Sequence, residues 1–119
     1  MKSANGTFLA RILACCLIAL VLSACTIGRV NERVSYWTKE TTAHVPVGAS
    51  IEDAKAFFAS RGLETRCCTS GFDSAPAITA TERDVGRFVF TEYSVLIVVD
   101  MTSDRRVSGV RVFRIGVGL

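Results

Sequence analysis

The period of apolar and polar positions changes three times along the 119-residue chain. Residues 12–22 run Ile-Leu-Ala-Cys-Cys-Leu-Ile-Ala-Leu-Val-Leu without a charge. Residues 26–48 mix balanced charges with scattered apolar side chains and hold no sustained helical period, which predicts a tether ending in Pro46-Val47-Gly48. Inside that stretch Val34-Ser35-Tyr36-Trp37 alternates, as an edge strand packed on the domain would, or as aromatic residues placed at a bilayer interface. A clear helical period then begins. Ser50 as N-cap and Asp53 three residues later form a capping box. Ile51, Ala54, Phe57 and Phe58 make an apolar stripe, and Arg61-Gly62 supplies a closing cation and a left-handed cap, so a helix is predicted over about 51–61.

After Gly62 the period drops to two. Short strands are predicted over Leu63–Cys67 and Ala77–Thr81, separated by a loop at Thr69–Pro76 that carries Gly71, Asp73 and Pro76. Arg87–Thr91 alternates around Phe88 and Phe90. Tyr93–Met101 is a nearly continuous apolar run, and Thr102-Ser103-Asp104-Arg105 turns it into a last strand over Val107–Ile115, forming a hairpin. Strict alternation fails between Val107 and Val110, and a bulge at Gly109 restores the inward phase.

Charge and composition place the N-terminus apart. Of 14 basic residues against 11 acidic, Lys2 and Arg11 lie in the first 24, so the remainder carries about +1 and offers no polyanion-binding surplus; nucleic acid is not an expected partner. A basic start, the apolar run of 11 residues and then Ser23-Ala24-Cys25 form a cleavable export signal. That run is shorter than the roughly 17–25 residues that a bilayer core requires.

Leu22-Ser23-Ala24-Cys25 resembles the bacterial lipobox. The resemblance implies cleavage between Ala24 and Cys25, a diacylglyceryl thioether on Cys25, and acylation of the new amine. Several acyl chains at about 0.8 kcal/mol per buried methylene would hold the protein on a membrane. In lipoproteins of Gram-negative envelopes an Asp after the Cys is typical of inner-membrane retention; Thr26 stands here, which implies the periplasmic face of the outer membrane for such a cell. The expected divisions are a leader over 1–24, a lipidated N-terminus and tether over 25–48, and a domain over 49–119. The expected fold is α+β, one N-terminal amphipathic helix packed on a small antiparallel β-meander. The order Val47-Gly48, capped helix, Gly62 and terminal hairpin resembles the small BamE-type (SmpA/OmlA) outer-membrane lipoproteins over about residues 47–115. That family carries two helices before its sheet, of which the pattern here predicts one. The resemblance implies an anchored helix-and-sheet domain that serves envelope assembly.

Cys15 and Cys16 lie in the leader and Cys25 is assigned to lipid, leaving Cys67 and Cys68 of the five cysteines. Direct neighbours cannot bridge without a strained peptide. They read as one buried and one half-exposed thiol, with a redox-active vicinal pair, an intermolecular bridge or a soft-metal site as alternatives. His44, the only histidine, sits in the tether, and two sulfurs with one imidazole lack a fourth zinc ligand. Neither a catalytic pair nor a cofactor is expected. Glu52 and Asp53 are explained by capping, while Glu82 and Asp84 read as turn residues beside Arg83. Asp100 and Asp104 bracket the last turn. Arg105, Arg106, Arg111 and Arg114 form either a basic patch or a guard against edge pairing. The functional expectation is a non-catalytic, lipid-anchored interaction module with an envelope protein partner. Its rivals are an inhibitor or immunity-type lipoprotein presenting Asp73 to a hydrolase, and a thiol or soft-metal protein using Cys67 and Cys68.

Overall fold

A computed structural model describes residues 2–69 and 75–118. Two helices precede a four-stranded antiparallel sheet whose order follows the chain: α1 (Lys2–His44), α2 (Ile51–Ser60), β1 (Thr65–Thr69), β2 (Pro76–Phe88), β3 (Thr91–Met101) and β4 (Val107–Gly118). This is the expected α+β class. The length of α1 is not expected, and it draws the molecule out to 77 Å.

Where a tether and an edge strand at 34–37 are predicted, the chain is helical. From Thr26 onward α1 lies on the sheet, burying Val30, Trp37 and Thr41, with Val45 just beyond its end. With half-buried Val34 between Val30 and Trp37, these positions recur every three to four residues, the spacing that puts side chains on one face of a helix. One of them is a threonine, whose hydroxyl is satisfied by donating to the Trp37 carbonyl at 2.7 Å. The core therefore extends beyond 49–119. Val30, Trp37 and Val45 join Ile51, Ala54 and Phe58 from α2 and Ile78, Ala80, Val95, Ile97, Val99 and Val107 from the sheet.

Helix α2 follows its sequence closely. The Ser50 hydroxyl accepts from the Asp53 N–H at 3.1 Å, and the chain leaves the helix through Gly62 at φ +77°. Its N-terminal approach is pinned to the start of β4 by Gly48 N–H to the Val107 carbonyl (2.8 Å), Val107 N–H to Ala49 (2.8 Å) and Ile51 N–H to Arg105 (3.0 Å).

In the sheet, the segment expected at 77–81 and the first two residues of the one expected at 87–91 lie on one strand. β2 runs through Glu82-Arg83-Asp84 by way of a bulge between Glu82 and Gly86, with Asp84 at φ +58°. Aspartate tolerates that region better than most residues. Val89 and Phe90 are then the β2–β3 turn, since Phe88 pairs with Thr91. β1 begins two residues later than predicted. The terminal hairpin is present, with β4 running on to Gly118: Asp100 pairs with Gly109 and Met101 with Val107, so the extra residue is Ser108 rather than Gly109, and it keeps Val107, Val110 and Val112 in phase with the core.

Candidate functional site

Exposure changes along α1 at one point. Residues 6–21 are all exposed, Cys25 is exposed, Thr26 and Ile27 are half-buried, and Val30 is fully buried. The side chains of residues 22–24, including Ala24, lie outside the described set. Beside Thr26 the sheet comes close. A Cβ placed on Gly86 would stand 3.1 Å from a Val30 methyl and 3.2 Å from the Thr26 methyl, so only glycine lets β2 approach α1 here without a shift. Taken whole, α1 is long and apolar enough to cross a membrane, whereas the apolar run alone falls short.

Cys67 and Cys68 are joined as a vicinal disulfide on β1, the edge strand, and both are exposed. The expectation of one buried thiol is thus corrected: β1 pairs on one side only and packs weakly, so neither neighbour enters the core. His44 is not with them. Its ring stacks on Phe57 at 5.2 Å, and its Nε2 lies 3.7 Å from Glu40. Arg61 closes the same helix–helix contact, meeting Glu40 at 2.6 Å, donating to the Tyr36 hydroxyl at 2.7 Å and lying over the Phe57 ring at 5.2 Å. Among the described residues no three His, Cys, Asp or Glu side chains come together as a metal site. Asp73 lies outside the described residues.

The acids posed as pairs have separate structural partners. Glu52 meets Arg105 at 2.8 Å. Glu82, in β2 rather than a turn, accepts a two-pronged bond from Arg33 (2.6 and 2.6 Å) and a third from the Trp37 indole N–H at 2.8 Å. The Arg33 guanidinium also stacks over the Tyr36 ring at 4.3 Å. Burial pushes the Glu82 carboxyl up, but the Arg33 fork, the Trp37 bond and the guanidinium charge outweigh it and hold the group below the usual carboxylate range. The bond to Glu82 likewise raises Arg33. Asp84 faces Glu92, and their hydrogen bond and mutual repulsion push Glu92 upward.

The four arginines of the last hairpin do not form one patch. Arg105 holds Glu52, Arg106 donates to the Gly48 carbonyl (3.1 Å), Arg111 grips Asp100 with two bonds (2.9 and 2.7 Å), and Arg114 reaches Asn31 (3.5 Å). Each ties elements of the fold together, which leaves little positive charge for a ligand. A cleft across β1, β2 and β3, lined by Glu64, Arg66, Thr79, Thr81, Arg83 and Leu96, mixes signs and is open to solvent.

The β2–β3 turn exposes Val89 (63%) and Phe90 (71%), and Val117, which pairs with neighbouring Glu92, is 60% exposed. Val89 is held at φ +53°, a conformation that β-branched residues disfavour. The signal was present in Phe88-Val89-Phe90, whose alternation read as a strand. No family model, curated protein or solved structure matches the chain.

Proposed function

We propose that this chain is a lipid-anchored envelope protein, held to a membrane through Cys25, whose α+β domain is a non-catalytic interaction module. The observation that carries the reading is the coincidence of two boundaries. The lipobox-like Leu22-Ser23-Ala24-Cys25 ends at the point where α1 passes from wholly exposed apolar residues to residues packed on the sheet. Cleavage before Cys25 removes a segment whose described side chains the core does not use and leaves the cysteine free to carry lipid. The dispersal of the acids and arginines into structural pairs favours a binding role over catalysis. The order of two helices before a meander is compatible with a BamE-type role in envelope assembly, and an envelope protein is the proposed partner.

The test is the intact mass of the membrane-extracted protein, with and without an inhibitor of the lipoprotein signal peptidase, beside Cys25→Ser. The expected result is loss of residues 1–24, added acyl mass, and a larger precursor under the inhibitor or in the variant. An unmodified full-length mass in the membrane fraction would make α1 an uncleaved anchor. A full-length mass in the soluble fraction would end the anchored reading.

A further inference from the structure

We propose that the β2–β3 turn, Val89-Phe90, together with Val117 on β4, dips into the interfacial layer of the same bilayer that holds the N-terminal anchor. This inference rests on the anchored reading above and holds whether or not the leader is cut. Among the described residues, four exposed large apolar side chains lie outside the apolar half of α1, and three of them, Val89, Phe90 and Val117, gather at one end of the sheet. The fourth, Val47, is next to Gly48, which bonds Val107 beside Met101 at the other end of β3.

The end they share is the anchor end. Along β2, Glu82 meets Arg33 and Trp37, while Gly86 meets Val30 and Thr26, so β2 advances along α1 toward Cys25. Three to four further residues at roughly 3.3 Å each carry the turn about 10 Å past Gly86, beyond the level of Thr26 on the membrane side. An acyl chain on Cys25, or the apolar helix itself, would lie beside a tip made of valine and phenylalanine. Water-exposed two-residue turns favour Asn and Gly, which adopt the left-handed backbone readily. This turn places a β-branched side chain there and a phenylalanine next to it. Flanking the tip, Arg87 and Glu92 pair at 3.6 Å, and the Arg87 side chain is 62% exposed, a polar collar suited to the headgroup region. Lipid accounts for both the apolar chemistry and the position, whereas a protein partner accounts for the first alone.

The test uses the full chain, purified from membranes as the cell processes it and reconstituted in phosphatidylcholine–phosphatidylglycerol vesicles. The native Trp37 is buried and supplies a fixed background. Phe90→Trp and Val117→Trp report on the tip, and Val47→Trp reports on the far end. Bromine-labelled acyl chains at the 5–10 Å depth reached by interfacial segments should quench the added emission of both tip variants about twofold and leave Val47→Trp unchanged. Equal response at the tip and at Val47, in protein that floats with the vesicles, overturns the tip contact while leaving the anchor standing. A tip shielded from aqueous quencher but untouched by bromolipid overturns it in favour of a protein contact. Failure to float with the vesicles overturns the anchored reading and this proposal with it. Two tip reporters, one in the β2–β3 turn and one on β4, keep the result readable if one substitution disturbs the fold.

Discussion

Replacing Trp37 with alanine separates a packed helix from a tether. The indole is 2% exposed, lies edge-on to Tyr36 at 5.1 Å and to Phe57 at 6.5 Å, tilts against Phe58 at 6.2 Å, and donates its N–H to Glu82. Truncating a buried tryptophan costs about 3–5 kcal/mol through lost burial and the cavity left behind. A domain of this size is stable by only about 5–10 kcal/mol, so the variant should lose a third of its stability or more. Urea unfolding followed by far-UV circular dichroism should show the midpoint falling by about 2 M, taking a slope near 2 kcal/mol per molar. Trp37→Phe, which keeps most of the ring volume but gives up the bond to Glu82, should fall between, at about 1–2 kcal/mol. Lys39→Ala, exposed on the opposite face of the same helix, should stay within about 0.5 kcal/mol. If Trp37→Ala were as mild as Lys39→Ala, residues 26–44 would not be packed on the sheet and the reasoning would be refuted.

Glu82→Gln should lower stability at neutral pH by about 1 kcal/mol, a modest figure because solvent reaches the Arg33 partner. Since the folded-state pKa of Glu82 is depressed, its contribution is complete above the usual carboxylate range and lost as pH falls through the folded value, so wild type and variant should converge in acid when unfolding is measured across pH. Asp84→Asn, mild at a left-handed backbone position, should bring the raised Glu92 titration back toward normal in a carboxyl NMR titration; an unmoved curve would mean that Asp84 is not its cause. Val89→Asn should stabilise the detergent-solubilised protein by about 1 kcal/mol by relieving the left-handed strain, read as a higher urea midpoint.

Helix α2 was legible because its stripe, cap and closing glycine agree with one another, and the terminal hairpin because five consecutive apolar residues meet a polar turn. Even the bulge showed as a break in alternation. The packed half of α1 was hidden by its own chemistry. Its buried face combines Val30 and Trp37 with Thr41, which passes for a polar residue until its hydroxyl is seen bonded within the helix. Glu82 misled in a similar way, since a charge followed by Arg83 and Asp84 suggests a turn, and only the distant Arg33 and Trp37 make it a strand residue facing the helix. The site followed the same division: Cys25 stood out as a local motif, whereas the apolar tip became visible only when β2 was placed along α1.

The sheet order, in which every strand pairs with its neighbour in sequence, also sets an order of assembly. The β2–β3 and β3–β4 hairpins close over two and five intervening residues, and hairpins of this kind form in about 1–10 μs. The contacts that bring the helices in are far longer-range: Arg33 finds Glu82 across 49 positions, and Glu52 finds Arg105 across 53. Loop-closure entropy makes such contacts the later ones. Because the chain is synthesised N-terminus first, α1 exists before the sheet that covers it, and Trp37 waits uncovered until Glu82 arrives.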